Sequence, residues 1–91
     1  MTISERDQEA LEPVRAYCTD DELIVTLLNG QKIVTPLWWY PRLLSATPAQ
    51  RAKVELSLFG IHWPEIDEDL SVEGMLVGAK APNAKEPLPA E

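Results

Sequence analysis

The sequence contains little of the material from which many binding and catalytic sites are built. Its one cysteine, Cys18, cannot form a disulfide within the chain, and its one histidine, His62, cannot join further histidines in a metal site. No apolar run reaches the length of a membrane span, and the charged start of the chain is unlike a signal peptide. We therefore expect a cytoplasmic protein in which Cys18 is a small buried hydrophobic residue.

Positive charge is also scarce. Eight basic residues stand against fifteen acidic ones, which gives a formal net charge of −7. Because an acidic surface is repelled by phosphate backbones, nucleic-acid binding by this chain alone is disfavoured. The charge suits a basic protein partner, although it also suits a protein that is acidic for solubility alone.

What is present is the composition of one ordinary folded domain. The 91 residues are 45% apolar and 25% charged, which is typical of a globular chain with one hydrophobic core. We predict a flexible arm over residues 1–12, a single α+β domain over residues 13–78 and a disordered proline-rich tail over residues 79–91.

The clearest local signal is a β-hairpin. Two apolar runs, Leu23–Leu28 and Gln31–Pro36, flank the turn sequence Asn29-Gly30. A two-residue type I′ turn would pair Val25 with Val34 across the hairpin. Both faces of the hairpin are too apolar to be fully solvated, so we expect one face to pack on a helix and the other to be covered by further chain or by a partner.

Other local patterns complete the predicted domain. They indicate a half-buried strand over Val14–Cys18, a central helix from Pro48 to about Leu56, an edge strand over Ile61–Pro64 and a short last helix over Val72–Val77. Thr47 and Gln50 form a capping box for the central helix, and Ser71 caps the last one. The predicted fold class is α+β, with a small antiparallel sheet of three to four strands, one β-hairpin, one central helix and one short C-terminal helix.

Three segments resemble blocks of the domain of unknown function 2442 family. They read LIVTL followed by Asn29-Gly30 over residues 23–30, PLWWYPRL over residues 36–43 and GIHWPEIDEDLS over residues 60–71. The last block is fairly specific, and the resemblance spans roughly residues 14–78. The asparagine before the hairpin glycine stands where the family often has an acidic residue, and it suits the same turn.

The resemblance implies a small bacterial α+β protein, found alone or joined to a helix-turn-helix DNA-binding domain. Some members are suspected antitoxins, encoded beside a small toxin-like protein of another family. The family has no established active site, so the resemblance supplies no catalytic residue and no cofactor. We expect a protein that is not an enzyme.

The three adjacent aromatic residues at 38–40 are the most suggestive feature for function. They cannot all face one small core, so at least one should be partly exposed beside a basic residue, as in interface hot spots. The alternative is that two fill the core while the third packs on the arm or tail of the chain. An acidic loop over residues 65–69 could add charge complementarity to a basic partner. The candidate partner-binding residues are Trp38, Trp39, Tyr40, Arg42, His62, Trp63, Glu65, Asp67 and Glu68.

The predicted function is that of a non-catalytic protein-interaction domain, antitoxin-like or regulatory, that binds a second copy of itself or a small basic toxin-like protein. One alternative is a small-molecule or metal-binding module around His62, Trp63 and the acidic loop. The loop resembles the start of a calcium loop but has Val72 where glycine is required and Gly78 where glutamate is required, so no metal site is predicted. The other alternative is a nucleic-acid-associated regulator.

Overall fold

The computed structural model describes residues 10–87. The elements in chain order are strands β1 (Pro13–Cys18), β2 (Glu22–Leu27) and β3 (Lys32–Pro36), a 3-10 turn (Leu37–Trp39), helices α1 (Pro41–Leu44) and α2 (Pro48–Ala52), strands β4 (Glu55–Leu56), β5 (Gly60–Trp63) and β6 (Glu68–Ser71), and helix α3 (Val72–Leu76). The strands form two antiparallel sheets, the first in the order β1-β2-β3 and the second in the order β4-β5-β6. The α+β class, the hairpin and the short last helix are confirmed, whereas the strands divide over two sheets instead of one.

The central helix begins as predicted but ends early. Thr47 Oγ1 accepts a hydrogen bond from the Gln50 amide, and Gln50 Oε1 accepts one from the Thr47 amide, so the capping box is complete. The helix ends at Ala52, because Glu55 and Leu56 pair with β5 as a short strand. That pairing makes β5 the central strand of the second sheet, where the sequence indicated an edge strand.

The hairpin between β2 and β3 has a three-residue loop, residues 28–30, in place of the predicted two-residue turn. The Gly30 amide donates to the Leu27 carbonyl at 2.9 Å, and the Leu27 amide donates to the Gln31 carbonyl at 2.8 Å. Gly30 has a φ of 91°, the left-handed conformation that follows a type I turn in hairpins of this length. Asn29-Gly30 therefore marks the turn correctly but does not fix its length.

The longer loop shifts the register by one residue. Val25 pairs with Ile33, and the predicted partner Val34 pairs with Ile24. Because side chains alternate along a strand, this shift turns Thr35 toward the core and Val34 toward solvent. Thr35 is 2% exposed and Val34 is 51% exposed.

One core joins the two sheets. The core consists of the inner side chains of β2 and β5 together with residues of α1, α3 and the segment from the 3-10 turn to α1. Its buried members are Leu23, Val25, Leu27, Leu37, Tyr40, Leu43, Ile61, Trp63, Val72 and Met75. The Trp63 indole donates to the Arg51 carbonyl at 3.1 Å, so its polar edge is satisfied inside the domain. Among residues 10–87, no helix is long and apolar enough to span a membrane.

Residues 10–12 of the predicted arm run beside the hairpin loop. The Glu12 carbonyl accepts a hydrogen bond from the Leu28 amide, and the Ala10 carbonyl accepts one from the Asn29 amide. Leu11 packs partly on the core. Residues 1–9 of the arm and residues 88–91 of the tail lie outside the described residues, and the flexibility of the arm stays a prediction.

Gly60 offers a sharp test of the packing between β5 and β6. We expect Gly60→Ala to lower the free energy of unfolding by about 2 kcal/mol or more, because the new methyl group would clash with backbone of β6 that cannot move aside easily. An added Cβ would lie closer than 3.0 Å to the Leu70 carbonyl oxygen. The measurement is urea denaturation followed by tryptophan fluorescence.

Gly30→Asn is the matched control. A Cβ at Gly30 meets nothing within 4 Å, and asparagine tolerates a positive φ, so the expected loss is about 1 kcal/mol or less. Equal losses in the two variants would contradict the close packing inferred at Gly60.

Candidate functional site

The aromatic run at 38–40 divides between core and surface. The 3-10 turn places Trp38 and Trp39 on the surface, each half-buried, while Tyr40 enters the core with 2% exposure. The ring centroids of Trp38 and Trp39 are 6.3 Å apart with the planes at 78°, an edge-to-face arrangement. The structure thus leaves two tryptophan rings partly open at adjacent positions, which we call the tryptophan pair.

The chain's own C-terminal segment, residues 79–84, crosses the tryptophan pair. The Lys80 ammonium lies 5.5 Å from the ring centroid of Trp38 and 5.3 Å from that of Trp39, within cation–π range of both. The Ala81 amide donates to the Trp39 carbonyl at 3.0 Å. Residues 79–87 form no helix or strand, and the disorder of the full tail stays a prediction.

Arg42 and Asp67 meet through the backbone. Arg42 Nη1 donates to the Asp67 carbonyl at 2.7 Å, and Asp67 itself has a φ of 52° in the turn between β5 and β6. A non-glycine residue in this conformation needs support from its surroundings, and the guanidinium supplies it. Glu65, in the same turn, pairs with Lys53. The contacts of these residues therefore stabilise the turn.

A cleft of about 300 Å³ runs beside the C-terminal segment. Tyr40, Glu68, Met75 and residues 79–82 contribute to its walls. The pKa of the Glu68 carboxyl is raised, mainly because burial removes water from the carboxylate. The hydrogen bond from the Asp69 amide and the charge of Arg42 lower this pKa in part, whereas the charges of Asp69 and Asp67 raise it further. The cleft wall is therefore partly acidic, and the segment does not fill the space beside it.

Neither His62 nor Trp63 lines this cleft. Trp63 is 1% exposed, so it cannot contact a partner in this conformation. His62 is on the opposite face of β5, where its Nδ1 is 2.7 Å from Asp69 Oδ1. Within residues 10–87, no three His, Cys, Asp or Glu side chains converge in an arrangement that could hold a metal ion. The structure thus gathers Trp38, Trp39, Arg42 and Glu68 around the C-terminal segment. Trp63 is buried, and His62 contacts Asp69 of the cleft wall without lining the cleft itself.

Cys18 is half-buried and packs against the core. Burial raises the pKa of its thiol, and the nearby Arg51 charge opposes this effect. Arg51 is itself bound to the carbonyls of Leu43 and Leu44 through Nε and Nη2. A raised thiol pKa keeps Cys18 protonated, which agrees with the packing role expected from the sequence.

Two surface features were missed at the level of sequence. Lys80 lies in the segment predicted to be a disordered tail, and the attraction between a lysine and exposed tryptophan rings is too weak to predict its position from the sequence. The second feature is an exposed apolar groove between the turn before β5 and helix α3, lined mainly by Leu11, Leu58, Phe59, Val72, Leu76 and Val77. Its residues lie far apart in the sequence, so no local pattern reveals it.

A family model for a protein of unknown function, DUF2442, matches residues 13–81. The chain belongs to the DUF2442 family. The matched range ends at Ala81, the residue whose amide bonds to the tryptophan pair. The chain is also similar to a solved protein of unknown function from Rhodospirillum rubrum ATCC 11170, with 28% identity, a TM-score of 0.69, and coverage of 80% of this chain and 93% of that one. No curated protein matches the chain.

The raised pKa of Glu68 gives a pH-dependent prediction. A carboxyl whose pKa is higher in the folded chain than in the unfolded chain favours folding at low pH, and this contribution is lost as the pH rises through the folded pKa. Glutamine does not titrate, so Glu68→Gln does not lose this stability as the pH rises. The free energy of unfolding of the variant minus that of wild type should therefore increase from about pH 4 to about pH 7. Urea denaturation across this range is the measurement. Glu55→Gln, at an exposed site, is the control, and parallel curves for Glu68→Gln and wild type would contradict the prediction.

Thr35 and Tyr40 carry buried hydroxyls without a hydrogen-bond partner among the described residues. Burial raises the pKa of the Tyr40 phenol, and the neighbouring Thr35 hydroxyl opposes the rise. Because neither buried hydroxyl has a hydrogen-bond partner within the described chain, replacing both removes two unsatisfied polar groups, so Thr35→Val with Tyr40→Phe should leave stability unchanged or increase it by up to about 2 kcal/mol. A loss above about 1 kcal/mol in thermal or urea unfolding would show that the hydroxyls are satisfied in solution.

Proposed function

We propose that this chain is a non-catalytic protein-interaction domain whose tryptophan pair receives a basic residue from an extended segment of a partner protein. The observation that carries the proposal is Lys80, which lies over both rings while the next residue bonds to the Trp39 carbonyl. The chain's own segment therefore shows which chemistry the surface accepts: a cation over the rings and an amide beside it.

Two properties of the surface favour a peptide partner. The hydrogen bond to the Trp39 carbonyl comes from a main-chain amide, so any extended segment other than proline at that position can supply it. The cation over the rings then selects lysine or arginine. The adjoining cleft remains partly open and has Glu68 and Asp69 in its wall, which favours a segment with positive charge.

The chain's own segment competes with any partner. A tethered segment has an effective concentration in the millimolar range, so a partner must bind more tightly than Lys80 or make contacts beyond it. Such competition suits a regulated interaction. A small basic protein of the toxin-like class is the partner that we propose for an antitoxin-like or regulatory role.

The test uses a synthetic peptide with the sequence of residues 79–87 and the full-length chain carrying Lys80→Ala. Removing the lysine from the rings should let the peptide bind about two- to fivefold more tightly than it binds wild type, as expected for an exposed cation–π contact. The measurement is tryptophan fluorescence during titration. A peptide with glutamine in place of its first lysine should bind more weakly.

Two matched variants make the result specific. Lys85→Ala removes a lysine from the same tail but not from the rings, and it should behave as wild type does. The chain with Trp38→Ala and Trp39→Ala, once shown to fold, should lose peptide binding in isothermal calorimetry. Equal binding by all the variants would reject the tryptophan pair as the site. A pull-down from the native host with the same variants then tests whether a protein partner binds them in the same order of strength as the peptide does.

A further inference from the structure

The outer face of the first sheet, the face turned away from the core, has an unusual pattern of side chains. Strand alternation and pairing place Tyr17, Ile24 and Val34 side by side across β1, β2 and β3. Tyr17 is 37% exposed and Val34 is 51% exposed, and Ile24 between them does not belong to the core cluster. A solvated face of an antiparallel sheet is normally polar, so this apolar row calls for a covering surface.

Charges flank the apolar row with opposite sign on its two sides. On one side, Arg15, Thr26 and Lys32 form the next row across the three strands, and the Arg15 guanidinium also lies over the Tyr17 ring, 4.8 Å from its centroid. On the other side, Glu22 lies on the same face of β2, next to the acidic turn at residues 20–21. Along β2, Ile24 lies midway between Glu22 and Thr26, so the acidic and basic sides are equally distant from the apolar row.

We propose that this outer face binds a second copy of the chain across a two-fold axis that runs parallel to the apolar row. Such an axis stacks the apolar row of one copy on that of the other and reverses the strand direction. Glu22 of each copy then faces Thr26 of the other copy, between Arg15 and Lys32. A closed two-fold pairing uses the same patch twice, and this patch is complementary to itself.

The alternative two-fold axis, parallel to the strands, is disfavoured by charge. It would place Arg15 of one copy over Lys32 of the other and Glu22 over Glu22. Like charges in contact oppose association, so the charge pattern selects the first arrangement. The product is a two-layer β-sandwich with its sheets about 10 Å apart.

The size of the face sets the expected strength. Three strands about 4.8 Å apart and three rows about 7 Å apart cover roughly 300 Å² on each copy. A standard interface takes about 800 Å² per partner, so this dimer should be weak and transient. We expect a dissociation constant of about 1 mM, which is weak for a protein dimer. The proposal is independent of the proposed function, because neither Trp38 nor Trp39 belongs to this face.

Sedimentation equilibrium of the full chain near physiological ionic strength, up to about 1 mM, is the first measurement, because the net charge of −7 on each copy opposes association more strongly at lower salt. Wild type should show a monomer–dimer equilibrium, and Val34→Lys should remain monomeric. Phe59→Lys, in the apolar groove, is the matched control and should dimerise as wild type does. A wild type that stays monomeric, or dimerisation lost in Phe59→Lys and kept in Val34→Lys, would overturn the proposal.

Charge reversal tests the direction of the pairing. Glu22→Lys alone, and Arg15→Glu with Lys32→Glu, should each raise the dissociation constant about fivefold, since each puts like charges together. The chain with all three changes restores opposite charges and should dimerise close to the wild-type level. Weakening that persists in the triple variant would reject this arrangement. Circular dichroism confirms folding, and the Trp38→Ala, Trp39→Ala chain should dimerise normally.

Discussion

The register of the β2–β3 hairpin is the constraint on which the rest of the structure depends. The three-residue loop ends at Gly30 in the left-handed region and pairs Val25 with Ile33. This pairing decides which residues of β3 face the core, because one step of register exchanges the two faces of a strand. It buries Thr35 and leaves Val34 outside. The burial of the Thr35 hydroxyl and the place of Val34 in the apolar outer row both follow from the extra loop residue.

The segments at 36–43 and 60–71, which resemble blocks of the family, are held together by contacts inside the fold. The block at 36–43 supplies Tyr40 to the core and Arg42 to the Asp67 carbonyl. The block at 60–71 supplies Trp63 to the core and the close backbone approach at Gly60. These side chains fix a turn, fill the interior or make room for backbone. In this chain the two segments therefore serve the packing of the fold.

Local rules predicted what depends on neighbouring residues. The capping box at Thr47 and Gln50 and the cap at Ser71 are determined within one turn of chain, and both are present. The sequence could not predict the end of the central helix, the division into two sheets or the crossing of the tryptophan pair by Lys80. Each depends on contact between segments distant in the sequence, as where β4 pairs with β5 and stops the helix. The sequence predicts that at least one residue of the aromatic run is partly exposed, but only the fold shows that Tyr40 is core while its two neighbours remain partly open.

The placement of the few basic residues connects fold and recognition. Arg42 and Arg51 donate to backbone carbonyls, and Lys53 pairs with Glu65. Arg15 lies over a tyrosine ring and Lys80 over the tryptophan pair. Most of the described positive charge therefore already has a partner inside the chain, and it is spread over separate parts of the surface. A phosphate backbone requires the opposite, a continuous row of cations open to solvent. Aromatic and apolar surface with acidic residues nearby is what remains available, so we expect the partner proposed for the tryptophan pair to bring positive charge of its own.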